Sequence, residues 1–313
     1  MFYNDDCVEG AKKYIDNESV SLGIYDPPFG INEKSFDKHY NRNKNNVVNG
    51  YVEAPDDYYG FSKKWIYQAD RILKPNGSFY IISGWSNSDI IGSAIRDLGL
   101  YVRNKIIWQF SFGVFTKKKY VTSHYEIFHV VKSKKVRPTF NTFCRHGMNE
   151  KNSNGGSVLY NDLSSVWSIN KEYCPNLQKN QNKLPEELIK KMVLYSSNRG
   201  DVVCDFFLGN FTTAIVCKKM GRIPIGFELN SIQFNKKVDS VDSIEEEEEI
   251  FINSNEPVNQ GKRITEEEIK DICEYMSKNI SIKSKKEIIE ILQEKHGRGK
   301  FSIKNIISKY YHS

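Results

Sequence analysis

"DVVCDFFLGNFTTAIVCKKMGRIPIGFEL", Asp201 to Leu229, is the stretch that decides the fold. DVVCDFF is apolar and reads as a strand, LGN supplies a turn with Gly209, TTAIVCKKMG has helical spacing, and IPIGFEL returns to strand. A strand, a glycine-bearing turn, a helix N-terminus and an acid ending the next strand, Glu228, form an arrangement that binds an adenosine group. The turn admits the ligand to the backbone, and the acid accepts hydrogen bonds from ribose hydroxyls. The G-x-G-x-x-G spacing of a dinucleotide site is missing, which points to a nucleoside ligand without a pyrophosphate. On these residues alone, an ordinary βαβ unit with an incidental acid is the alternative.

The pattern continues toward the N-terminus. Ser19–Tyr25 reads as a strand, Phe61–Leu73 as a helix stopped by "KPNG" (Lys74 to Gly77), and "SFYIIS" as the next strand. Asn87–Gly99 follows as a helix, Tyr101–Phe110 and Ser123–Lys132 as strands, and Leu184–Ser197 as a helix leading into Asp201. Alternating strand and helix argue for a mostly parallel sheet covered by helices. Residues 136–183 fit neither period.

Charge varies along the chain. Residues 1–238 carry an excess of about ten positive charges, 239–256 about eight acids and no base, and 257–313 a net of roughly plus four. We expect a linker at 239–256. The basic body suits a polyanionic partner, although a solvated lysine-rich surface gives the same count. No apolar run approaches the roughly 18 residues of a membrane helix, and "MFYNDDCVEG" has acids where a secretory signal has lysines. A cytoplasmic protein with no membrane partner is the expectation. The six cysteines show no metal-ligand spacing, so no metal is expected and the thiols read as reduced.

A second constellation lies in "GIYDPPFG", Gly23 to Gly30. Asp26 ends a strand on the ligand edge of the sheet. Pro27 and Pro28 restrict the backbone, so the Pro27 carbonyl can point outward, and Phe29 offers a flat face for stacking. Two acceptors beside a ring can hold an exocyclic amino group and make it nucleophilic. A rigid strand-ending turn would look the same.

Together, in this order, the two stretches resemble the beta-group DNA amino-methyltransferases, whose D-P-P-[YF] motif precedes an S-adenosylmethionine motif F-x-G-x-G. The resemblance spans about residues 1–238. It implies a Rossmann-like α/β sheet with helices on both faces, followed by a small helical C-terminal module. It further implies S-adenosyl-L-methionine as cofactor, double-stranded DNA as substrate, base flipping, and catalysis by Asp26, Pro27, Pro28 and Phe29. The cofactor contacts carried over are Asp6, Cys7, Asp26, Lys183, Asp205, Phe207, Leu208, Gly209, Asn210, Phe211, Thr212, Glu228 and Leu229. An aspartate at the first motif position favours adenine N6 methylation, with cytosine N4 methylation as the alternative. Phe211 stands where the family has its second glycine. A ring there is expected to crowd the cofactor turn, which leaves a DNA-binding protein with an inactive pocket as a further alternative.

The family places target recognition in the segment corresponding to 136–183, and we expect DNA contacts from Arg137, Arg145, Asn149 and Lys151, with a solvated loop as the alternative. His39 and Arg42, in the insertion after the catalytic motif, are expected to join them. The family setting adds a homodimer and a cognate restriction endonuclease as candidate partners in a restriction-modification pair, at the nucleoid. Three amphipathic helices are expected in 257–313, with the basic "KHGRGK" (Lys295 to Lys300) as a candidate DNA contact and a dimerisation or packing bundle as the alternative.

Overall fold

The computed structural model describes residues 1–30, 54–111, 113, 115, 117–170, 183–246, 264–298 and 300–311. They fall into two compact units, Met1–Cys144 with Tyr160–Ile250, and Arg145–Leu159 with Phe251–Ser313. In chain order the elements are β1 (Phe2–Tyr3), α1 (Cys7–Tyr14), β2 (Val20–Tyr25), α2 (Tyr58–Ile72), β3 (Leu73–Ser83), α3 (Ser88–Asp97), β4 (Tyr101–Gln109) and β5 (His124–Val131). Then come α4 (Val158–Asp162), β6 (Val166–Ser168), α5 (Glu186–Ser196), β7 (Val202–Asp205), α6 (Thr212–Lys219), β8 (Ile223–Phe227) and α7 (Ser231–Asp242). Three helices close the second unit, α8 (Glu266–Asn279), α9 (Lys285–His296) and α10 (Lys300–Tyr310).

The strands form one sheet in the order β1-β8-β7-β2-β3-β5-β4-β6. The expected parallel character holds from β1 across to β3 and again between β4 and β6, while β5 runs antiparallel to both its neighbours. Side-chain alternation along β3 shows how both faces are filled. Phe79 and Ile81 join Trp65, Ile66, Ala69 and Ile72 of α2 and Ile91, Ala94 and Ile95 of α3 on one face. Tyr80 and Ile82 join Leu188, Ile189, Met192 and Val193 of α5 and Val216 and Cys217 of α6 on the other. Each such fully buried aliphatic side chain contributes about 1.5–3 kcal/mol.

Local chemistry moves some boundaries from those expected. The helix expected from Phe61 begins at Tyr58, because Asp57 caps it by accepting from the Gly60 amide at 2.8 Å. KPNG does not interrupt the chain between helix and strand. It lies inside β3, which pairs Leu73 with Val20 and then shifts register before Ser78 meets Leu22. Asp6 starts α1, a helix the periodicity did not reveal. At the other end, α7 runs to Asp242, and Val241 is fully buried with Leu208, Phe211 and Ala214. The first residues of the acidic stretch 239–256 therefore belong to a packed helix. Its residues from 247 onward lie outside the described ones, as do the insertion 32–51 and residues 171–182.

In the second unit, α8, α9 and α10 bury Ile272, Met276, Ile288, Ile289, Leu292, Ile303, Ile306 and Ile307 against one another. Thr265 with Glu268 and Ser284 with Glu287 form capping boxes, and Gly297 ends α9 in the left-handed conformation at φ 54°. Among the described residues no helix is long and apolar enough to cross a membrane, and no group of three or more His, Cys, Asp or Glu could hold a metal.

Candidate active site at the carboxyl ends of β2 and β7

The sheet changes its direction of winding between β2 and β7, since β2 is followed outward by β3 and β7 by β8. Open α/β sheets bind ligands in the crevice at such a switch point. The two strands are in register, with Leu22 opposite Val203 and Gly23 opposite Cys204, so their carboxyl ends finish side by side. Tyr25, immediately before Asp26, places its ring 4.8 Å from that of Phe206, immediately after Asp205. Residues 181 positions apart are thereby brought to one edge.

On the β2 side, Asp26 is partly exposed, Pro27 is buried, and Pro28 and Phe29 are half-buried. The Phe29 ring meets Tyr125 edge-on at 5.2 Å, and Gly84 lies so close that a Cβ there would sit 3.2 Å from the ring. Asn87 secures the backbone beyond it. Its amide donates to the Phe29 carbonyl at 2.6 Å and to the Gly30 carbonyl at 3.3 Å. Asn87 occupies the cap position of α3, yet its side chain makes no capping bond. Its hydrogen bonds go to the loop, and Gly30 takes a left-handed φ of 67°.

On the β7 side, Glu228 follows β8 and receives the Gly209 amide on Oε2 at 2.7 Å and the Asn230 amide on Oε1 at 2.8 Å. Burial raises its carboxyl above the usual range. Each oxygen keeps a lone pair for another donor. Gly209 has φ 50°, and a Cβ there would meet just the Phe207 carbonyl at 3.7 Å, so space remains over the turn. Gln233 of α7 braces the turn, donating to Asn210 Oδ1 at 3.0 Å and to the Gly209 carbonyl at 3.2 Å. Asp205 is buried beneath it, its carboxylate accepting from the Phe207 amide at 2.9 Å, and burial pushes its pKa up to about 7.

Phe211 differs from its expected effect. It adopts the left-handed conformation that favours glycine, at φ 60° and ψ 21°, while its ring is fully buried. The ring packs edge-on against Phe2 at 5.4 Å and Phe234 at 6.0 Å, together with Leu208 and Val241. The aromatic group is absorbed by the core between β1 and α7, and its side chain is not a surface over the turn.

The remaining cofactor candidates are spread around this edge. β1 pairs with β8, and the Glu228 amide donates to the Tyr3 carbonyl at 3.1 Å, which sets the Asp6 turn beside Glu228. Asp6 is committed to capping α1, accepting from Val8 at 2.9 Å and Glu9 at 3.1 Å. Cys7 is buried, and burial pushes its thiol up. Thr212 and Leu208 are buried, whereas Leu229 is exposed. Phe207 is in part covered by Trp65, its ring 5.4 Å away. Lys183 pairs with Glu186 at 3.1 Å, and Glu186 also meets Lys219 at 3.4 Å.

Of the expected DNA contacts, Arg137 is exposed in the first unit, while Arg145 is half-buried and Asn149 and Lys151 are exposed in the second. His39 and Arg42 lie outside the described residues. Sequence reading missed Asn87 and Gln233. Neither sits in a recognisable pattern, and their partners lie 58 and 23 to 24 residues away.

A family model described as DNA methylase matches residues 20–237. The chain is 30% identical over 237 residues to the type II methyltransferase M.HpaI of Haemophilus parainfluenzae, covering 74% of this chain and 71% of that protein. It is 33% identical over 236 residues to the DNA adenine methyltransferase YhdJ of Escherichia coli (strain K12), covering 70% and 75%. Among solved structures, the M1.HpyAVI–SAM complex superposes with a TM-score of 0.55 at 20% identity, over 78% of this chain and 98% of that one.

Proposed function

Since the chain belongs to the N6/N4 DNA methylase family, we propose that it methylates N6 of an adenine swung out of double-stranded DNA, with Asp26, Pro27 and Phe29 engaging the base. Its methyl donor is S-adenosyl-L-methionine. The β7 edge fits that group. Open space over Gly209 suits close approach, and the Glu228 carboxylate, fixed by two backbone amides with lone pairs to spare, suits two ribose hydroxyls. When bound, the donor supplies an electrophilic methyl group.

The observation that carries the reading is the switch-point edge itself, where Asp26 and the Gly209 turn end adjacent strands. Phe29, held edgewise by Tyr125, presents a face on which a flipped base can stack. Asp26 and the Pro27 carbonyl accept the two amino hydrogens. Those bonds draw the nitrogen lone pair out of conjugation with the ring and orient it, and the Asp26 carboxylate stabilises the positive charge that develops on that nitrogen, which is discharged by loss of one amino proton. Much of the rate then comes from positioning. Every described free cysteine lies outside this role. The aspartate at the motif's first position and the relative YhdJ, a DNA adenine methyltransferase, support adenine over cytosine.

The test is methyl transfer to unmethylated genomic DNA, followed by digestion to nucleosides and mass spectrometry. N6-methyladenine is the expected product, and N4-methylcytosine would overturn the base assignment. Asp26→Ala should abolish transfer and keep cofactor binding. An active variant would refute the role of Asp26.

A further inference from the structure

The basic loop Lys295–Lys300 stood out in the sequence as a candidate DNA contact, but its arginine is buried and Lys295, though exposed, is paired. Arg298 is 5% exposed and grips Glu268 in a fork, Nε to Oε1 at 3.0 Å and Nη2 to Oε2 at 2.7 Å. This contact holds the Glu268 carboxyl down at about 2. Lys295 is 2.8 Å from Asp271. The charges of Lys295 and Arg298 tie the end of α9 to α8.

Charge is left over elsewhere in the unit. Of the three helices, α8 and α9 carry acids, whereas α10, "KFSIKNIISKY", has none. Between the three helices runs an open trough of about 700 Å³, with Met276, Ile289 and Ile307 in its floor and Lys285, Lys286 and Lys304 among its lining. These three lysines are exposed, and none makes an ion pair among the described residues. Asn305, Ser308 and Lys309 continue the exposed face of α10. Lysines that form no ion pair among the described residues, beside the amide and the hydroxyl of α10, match the polyanionic backbone and base edges of nucleic acid.

We infer that this face, Lys285 and Lys286 of α9 with Lys304, Asn305 and Ser308 of α10, is a second DNA-contacting surface of the chain. The trough takes the sugar–phosphate backbone, phosphates on the lysines and sugars over the apolar floor. The inference rests on the chain being a DNA methyltransferase. It adds that the helical unit supplies affinity for duplex DNA beyond what the site around Asp26 provides.

The full-length protein tests it through binding to a labelled unmethylated duplex over a range of salt concentrations. Each phosphate contact adds about 0.9 to the slope of log K against log salt. The triple variant K285Q/K286Q/K304Q should lower that slope by about 2 to 3, with unchanged circular dichroism and undiminished turnover at saturating DNA. K270Q/K278Q, which removes two exposed α8 lysines that do not line the trough, should leave the slope nearly as it was. An unaltered slope in the triple variant of an enzyme that binds and methylates DNA overturns this surface alone. If that variant instead changes only the oligomeric state in sedimentation, the trough joins copies of the chain and the inference fails. Absence of both binding and transfer in the unmutated protein would overturn the proposed function, and this inference with it.

Discussion

Phe211 poses a quantitative question, because one residue combines an unfavourable backbone with a favourable burial. A non-glycine residue in the left-handed region costs about 1–2 kcal/mol, and its fully buried ring contributes about 3–5 kcal/mol over alanine. Phe211→Ala keeps the strained backbone and loses the ring, so it should destabilise the first unit by about 3–5 kcal/mol. Phe211→Gly empties the same space yet releases the strain, so it should be more stable than the alanine variant by about 1 kcal/mol. That order reverses the usual one, in which alanine outranks glycine. Urea unfolding of both variants, followed by near-ultraviolet circular dichroism, measures the difference directly. An alanine variant as stable as the glycine variant would refute the left-handed assignment. Calorimetric titration with S-adenosylmethionine completes the test. Since the ring packs on Phe2 and Phe234, the glycine variant should change the affinity by less than about tenfold, or 1.4 kcal/mol. A larger gain in affinity would mean that the ring does obstruct the turn.

Other outcomes follow from the same geometry. Asn87→Ala should lower kcat by about a hundredfold through misplacement of Phe29 while cofactor affinity holds; steady-state kinetics with calorimetry reads both, and an unchanged kcat would remove Asn87 from the positioning of the loop. Burial lowers His129 to about 4, so the folded protein resists protonating it and stability should drop as pH falls from 6.5 through 4. His129→Gln should flatten that part of the urea midpoint profile. Asp205 has the opposite sign, because its pKa is raised to about 7 and the folded state holds the proton more tightly. Its contribution is complete below 3.8 and is lost as pH rises through 7, a decline that Asp205→Asn should abolish in the same assay.

The β7–α6–β8 unit was legible because its signals are local: a turn glycine, a change of apolar period and an acid after the second strand. The pairing of Asp26 with that unit could be read from motif order, although the contact that seats them together, Tyr25 against Phe206, could not. α1 was hidden because it is only eight residues long and its buried stripe, Cys7, Gly10 and Ala11, is made of small side chains. KPNG misled because a proline is tolerated where a strand starts irregularly. The antiparallel β5 left no trace in periodicity, since strand direction is a property of the partner. The basic loop read as exposed because its acids, Glu268 and Asp271, lie a full helix away in sequence.

The outermost strands of the sheet, β1 with two residues and β6 with three, are its shortest. A wide sheet is most exposed to unwanted strand addition along its margins, where unpaired amides and carbonyls can template a neighbouring chain. Here each margin presents only a few such groups. β1 is the more consequential guard, for it covers β8, whose "IPIGF" is apolar throughout. Stripping Phe2 and Tyr3 would uncover that strand while leaving the Asp26 and Gly209 stretches in the chain, and self-association, more than any change in chemistry, would be the first sign of the loss.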